Sequence, residues 1–273
     1  MSAAQNAPFR WGFIGAGHIA ETALAPAIHA SETCVIQAVA ARDIDRARSL
    51  EPRGRAYDDY AALCDDPEVD AVYISLHNTA HLPWIEHALA SGKHVLCEKP
   101  LCLDAAQTAQ AFAAATAAGR TLVEAFWYRW HPRTRRAEGL VASGELGSIT
   151  DVETAFCFGN VSPGNIRLDP ALGGGALYDV GCYAVSAAHW ALGDLRVDSA
   201  TARLSAGGVD LDTAATLRGA TGTASVSCSI DAAFLDAISI TGTAGALEFT
   251  GGKAFSARRG DAVGLRIADS AGR

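Results

Sequence analysis

The chain has 273 residues, 49% of them hydrophobic, with 22 basic against 30 acidic side chains and a net charge of −8. That length and apolar content fill two cores rather than one, while the acidic balance, with no basic run or basic-aromatic interleaving, excludes nucleic acid and anionic membrane as expected partners. Met1 to Pro8 lack the basic start and apolar centre of a leader, no apolar run approaches the roughly 20 residues of a membrane span, and the seven cysteines never take metal-pair spacing, so the expectation is a cytoplasmic protein in a reducing compartment with no bound metal.

From Arg10 to about Glu124, short apolar runs alternate with alanine-rich segments of helical spacing, the pattern of parallel strands joined by crossover helices. Strands are expected near 11–14, 35–40, 71–75, 94–97 and 121–124. Helices are expected near 19–30, 43–50, 60–64, 82–91 and 104–118, the last with Asp104 as N-cap and Gly119 as C-terminal stop. Such a doubly wound parallel sheet binds ligands beyond the carboxyl ends of its strands. Past Trp130 the pattern changes to a helix near 133–143, a long strand near 149–158, a Gly/Pro/Asn loop and a helix over about 176–192. After Asp194 only strands are expected, alternating between Gly, Asp and Ser turns, which argues an α+β arrangement with an open, mostly antiparallel sheet carrying helices on one face. The expected domains are 1–124, dinucleotide-binding, and 125–273, for substrate and oligomerisation.

The turn Gly15-Ala16-Gly17-His18-Ile19-Ala20 follows the first strand and opens a helix, the context a dinucleotide fingerprint requires. Gly15 permits the tight turn, Gly17 lets backbone approach a pyrophosphate, and Ala20 allows close helix-strand packing; His18 and Ile19 are expected at the same cofactor. The second strand ends in Ala40-Ala41-Arg42 instead of an acidic residue, and an arginine there pairs with a ribose 2′-phosphate, so NADP(H) is expected in preference to NAD(H). Asp43 either caps the next helix or reaches the ribose, with capping favoured. After the strand near 71–75, Asn78 is a cofactor contact by position, while His77 and His81 stand between a packing role and a functional one. Cys97-Glu98-Lys99-Pro100 ends the next strand and puts a lysine, with Glu98 beside it, where the chemistry would happen. In the second half, a triple glycine, 173–175, leads into a helix on which Asp179 and Tyr183, four apart, share one face. By spacing alone this pair reads equally as a proton-transfer set or an exposed helical pair.

Taken in order, the Gly15-to-Ala20 turn, Glu98-Lys99-Pro100, the aromatic run from Glu124 to Pro132, and the glycine-rich helix bearing Asp179 and Tyr183 resemble the glucose-fructose oxidoreductase, inositol dehydrogenase and MocA-type family, within it the dimeric dihydrodiol dehydrogenase and NADP-dependent xylose dehydrogenase branch. The resemblance runs from about Arg10 to Phe249. It implies a Rossmann domain followed by an α+β domain, hydride transfer between NADP(H) and a sugar, polyol or vicinal diol, and a homodimer formed through the second sheet. It also implies that Lys99 touches nicotinamide ribose and substrate oxygen, that Asp179 orients Lys99 or the substrate hydroxyl, that Tyr183 is the acid-base residue, and that Trp127, Arg129 and Arg167 flank the substrate pocket. Acting as a base near neutrality would require Lys99 to fall by roughly 3 pKa units, about 4 kcal/mol, so a protonated Lys99 stabilising a tyrosinate at Tyr183 is the expected division of labour. Relatives continue for several dozen residues beyond a segment like Gly245-Ala246-Leu247-Glu248-Phe249, whereas this chain stops at Arg273, so a smaller second sheet, a more open pocket and an altered or absent dimer are expected. The alternatives are a redox-neutral glycoside lyase or hydrolase that uses the cofactor transiently, and a non-catalytic NADP-responsive binding protein.

Overall fold

The computed structural model describes residues 7–258 and 260–269. The chain divides into two compact units, Met1–Ala125 and Phe126–Arg273. The first is built on six strands, β1 (Phe9–Ile14), β2 (Cys34–Ala40), β3 (Arg55–Tyr57), β4 (Ala71–Ile74), β5 (His94–Cys97) and β6 (Leu122–Glu124). They pair in the order β3-β2-β1-β4-β5-β6, every pair parallel. This is the Rossmann order, with the direction of winding reversed between β1 and β4. Central β4 is Ala-Val-Tyr-Ile and buried at all four positions, as a parallel strand covered on both faces must be.

The connecting helices are α1 (Ala25–His29), α2 (Ile44–Ser49), α3 (Tyr60–Cys64), α4 (His81–Ala90) and α5 (Ala105–Ala118). Three begin alike, with an aspartate carboxylate accepting from a first-turn N–H: Asp43 from Asp45, Asp59 from Ala61, Asp104 from Gln107. Asp43 is thus a cap, the favoured reading. Gly119 ends α5 in the left-handed conformation (φ 60°). A π-helical turn, Ala20–Leu24, runs into α1. Strand β3 was not expected; three residues are too few to display a period.

The second unit holds α6 (Pro132–Ala142), β7 (Ile149–Cys157), α7 (Cys182–Leu192), β8 (Arg196–Leu204), β9 (Asp210–Arg218), β10 (Thr223–Ser229), β11 (Leu235–Gly242), β12 (Gly245–Thr250) and β13 (Gly264–Asp269). Its sheet order is β13-β12-β11-β7-β10-β9-β8, antiparallel except between β7 and β10. Alternation sorts the strands into two faces. Val152, Val226, Ile238, Ile240, Leu247 and Phe249 pack with Leu140 of α6 and with Ala184, Ala187 and Ala188 of α7, the alanines letting the helix lie close. Burying each isoleucine is worth about 1.5–3 kcal/mol. The opposite face presents Glu153, Ser225, Ser227, Ser239 and Glu248 around a broad hollow of about 760 Å³.

Candidate active site

In the first unit the glycine turn sits where β1 and β4 diverge. Gly15 has φ +93°, and a Cβ there would overlap the Ser75 carbonyl oxygen; a Cβ on Gly17 would stand 2.9 Å from Ser75 Oγ. Both glycines therefore answer to the end of β4, and helical backbone starts at His18, directly after Gly17, which has no side chain to cap it, leaving first-turn N–H groups for an anion. The residues present fit a dinucleotide. His18 and Ile19 are exposed on the turn, as is Arg42 at the end of β2. Sequence reasoning passed over Arg46, whose guanidinium donates to the Ala16 carbonyl and so braces the turn from α2.

The loop after β5 is anchored on both sides of Lys99. Glu98 accepts from the Tyr73 hydroxyl at 2.7 Å and from the Lys99 N–H at 3.3 Å. Beyond the cis Lys99–Pro100 peptide, the Leu101 N–H donates to Glu124 at 2.8 Å. Burial raises the Glu124 carboxyl above its ordinary range, against the pull of that N–H and of the Lys99 charge. Asn78 lies half-buried in a single turn, Asn78–Ala80, just before α4.

His81 begins α4. It is fully buried, with Nδ1 2.9 Å from Pro100 O and Nε2 3.2 Å from Leu76 O. Burial lowers its pKa, opposed by those carbonyls. Its ring ties the loop after β5 to the loop after β4.

In the second unit a π-helical turn, Leu177–Gly181, carries Asp179 and runs into α7, whose second residue is Tyr183. Such turns recur at functional sites. Asp179 Oδ2 accepts from Arg167 Nε at 2.6 Å, and the Arg167 guanidinium lies 5.7 Å from the Phe158 ring centroid. The triple glycine serves the chain itself: a Cβ at Gly174 would be 2.5 Å from Arg167 O, and at Gly175 (φ +122°) it would overlap the Asp210 carboxylate. Asp210 in turn accepts from the Leu177 N–H at 2.8 Å.

Tyr183 is 5% exposed within a ring of aromatics, with centroids at 5.4 Å (Phe126), 5.7 Å (Tyr128), 5.6 Å (Phe156) and 5.7 Å (Phe255). Trp127 Nε1 donates to its hydroxyl oxygen at 3.0 Å. Phe255 arrives from a turn whose N–H groups at 255 and 256 donate to buried Asp236 at 2.7 and 3.0 Å. No local signal in the sequence joins Phe255 to a tyrosine 72 positions earlier. Arg129 is ion-paired as Arg167 is: its Nε donates to Glu138 Oε1 of α6 at 2.9 Å, nine residues on, while the side chain keeps 40% of its exposure. The structure thus joins Asp179 with Arg167 and Tyr183 with Trp127, and assigns Arg129 to an ion pair.

Among the described residues no helix is long and apolar enough to cross a membrane, and no three His, Cys, Asp or Glu side chains are grouped to hold a metal.

A parallel Rossmann sheet with its glycine turn at the reversal, followed by an open sheet backed by helices, defines a two-unit dinucleotide-binding class. The chain belongs to the GFO/IDH/MocA family: residues 9–126 match its oxidoreductase, NAD-binding Rossmann-fold model and residues 134–248 its C-terminal domain model. It is 46% identical over 188 residues to a D-xylose 1-dehydrogenase (NADP(+)) of Haloferax volcanii, covering 67% of this chain and 57% of the relative. It is 33% identical over 244 residues to the trans-1,2-dihydrobenzene-1,2-diol dehydrogenase of Bos taurus, covering 86% and 72%. The crystal structure of KijD10, a 3-ketoreductase from Actinomadura kijaniata in complex with NADP and TDP-benzene, superposes with a TM-score of 0.86 at 32% identity, over 95% of this chain and 84% of that one. The chain spans little more than half the length of several curated relatives, 55% and 57% for two of them.

Proposed function

We propose that this protein is an NADP-dependent oxidoreductase, moving a hydride between the nicotinamide and a carbonyl or hydroxyl carbon of a sugar, polyol, vicinal diol or related small molecule. The observation that carries the reading is the braced Glu98-Lys99-Pro100 loop at the carboxyl end of β5, held by Tyr73 on one side and Glu124 on the other. Such bracing fits a lysine that must meet both cofactor and substrate in a fixed place. When bound, the nicotinamide supplies or receives the hydride. The turn at Gly15, Gly17, His18 and Ile19 would hold the pyrophosphate, with Asn78, Glu98 and Lys99 toward the nicotinamide end. Arg42 would pair with the 2′-phosphate, favouring NADP over NAD, and the names of the xylose dehydrogenase and of the KijD10 complex support that preference. Lys99 stays protonated and holds the substrate oxygen. Tyr183 exchanges the proton. Asp179, held by Arg167, orients the reacting groups, and Trp127 and Arg167 border the substrate. We place the protein in the cytoplasm as a homodimer joined through the open face of the second sheet.

The test is nicotinamide absorbance with a panel of aldoses including D-xylose, trans-diols and keto-sugars, for wild type and Lys99→Ala, with both cofactors. Turnover should favour the phosphorylated cofactor and fall by about 10²-fold or more in Lys99→Ala. Arg42→Ala should weaken NADPH binding by roughly 10- to 150-fold and leave NADH binding unchanged. NADPH binding with no turnover on any member of the panel would count against the dehydrogenase reading and favour a redox-neutral lyase or a binding protein.

A further inference from the structure

We propose that Trp127 is a positioning residue for the proton step, its indole N–H holding the phenol oxygen of Tyr183 and stabilising it as it becomes anionic. The inference rests on Tyr183 as the acid-base residue. An indole nitrogen is a donor only, so at 3.0 Å the Tyr183 oxygen accepts, and the phenol's own hydrogen points out of this bond. In the reductive direction the Tyr183 O–H bond breaks and the substrate oxygen gains that proton as its carbon gains hydride from the reduced nicotinamide; oxidation runs the reverse. Either way a phenolate must exist beside four aromatic rings, where burial disfavours charge. A hydrogen bond to an ionised acceptor is roughly twice as strong as one to a neutral acceptor. The indole N–H therefore helps the anion more than the phenol, which is what raises turnover rather than binding alone.

The turn carrying Trp127 is built to hold this donor still. It spans Trp127–Trp130, and its next residue, Tyr128, is 2% exposed with its hydroxyl 2.8 Å from Ser186 Oγ. Tyr183 and Ser186 are both on α7, so one turn docks on one helix through two hydrogen bonds. Burial pushes the Tyr128 phenol up to about 12, keeping it neutral. Rings that pack on Tyr183 include Phe126, Phe156 of β7 and Phe255, the last on a backbone turn held by Asp236 and Arg133, and the preceding turn of its own helix carries Asp179, paired with Arg167. None of the three phenylalanines titrates.

The experiment compares Trp127→Phe, Trp127→His, Tyr183→Phe and the Trp127→Phe/Tyr183→Phe pair. It reads kcat and KM for D-xylose with NADP+ and, without substrate, the pH at which Tyr183 phenolate absorbance appears, taken as the difference from the protein lacking Tyr183. Trp127→Phe should lower kcat about tenfold with KM within about threefold, Trp127→His should restore most of the loss, and in the Tyr183→Phe background Trp127→Phe should add less than about twofold. Phenolate should appear about one pH unit higher in Trp127→Phe. A raised KM with unchanged kcat, or an undiminished Trp127→Phe effect in the Tyr183→Phe background, would overturn the proposal. Full turnover by Tyr183→Phe would instead sink the acid-base reading, leaving the phenolate measurement to decide the bond. That measurement also decides if D-xylose is not turned over, and an unchanged phenolate onset ends the proposal. Should Trp127→Phe fail to fold, Trp127→His carries the test.

Discussion

A single missing carbon decides the glycine turn. At Gly15 the backbone is left-handed and the Ser75 carbonyl occupies the space of a side chain, so Gly15→Ala should destabilise the fold by about 2 kcal/mol or more and weaken NADPH binding, read by thermal melting and by quenching of tryptophan fluorescence. A wild-type melting temperature together with wild-type NADPH binding would refute it. The glycine was legible because its spacing after a strand is local. The fate of His81 was not, because both its ring nitrogens meet carbonyls, Leu76 and Pro100, that come from different loops. The Arg129–Glu138 ion pair was hidden for a related reason, since it forms only once α6 brings Glu138 back to a residue nine positions earlier.

At the level of elements, capping aspartates and strand alternation could be read from the sequence because both are patterns of near neighbours. The clip between strands is of another kind. Asp70, before β4, accepts from the Arg10 backbone N–H at 2.9 Å and from its guanidinium Nε and NH2 at 3.1 and 2.7 Å, fastening the start of β1. The Arg10 hydrogen bond is the main cause that holds the Asp70 carboxyl below its ordinary range, with desolvation opposing it. A carboxylate with a depressed folded pKa stabilises the fold above its unfolded pKa, about 4, and that contribution is lost as pH falls through the folded value. Asp70→Asn should therefore melt below wild type at neutral pH, the gap closing as acid protonates the Asp70 carboxylate. A gap that stayed constant with pH would show that the charge is not what matters.

For the whole molecule, the open face of the second sheet supports the homodimer reading. Its small and polar side chains are uncovered among the described residues, and β8 is exposed along all nine residues, Val197 and Leu204 included. Sedimentation equilibrium should give twice the chain mass, and Ser227→Arg, at the centre of that face, should give a folded monomer. A monomeric wild type would remove the proposal.

Composition and periodicity were enough to reach a parallel α/β unit, an open sheet backed by helices and the glycine turn, since each is a pattern of residues close along the chain, and the family resemblance singled out the lysine and the tyrosine. Tertiary structure alone decided which side chains are already engaged. Asp179 meets Arg167, Trp127 donates to Tyr183 across 56 positions, and Phe255 closes the aromatic ring from still farther along. Hydrogen bonds and ring contacts act over a few ångströms of space, whatever the number of residues between them, and only the folded chain sets those distances.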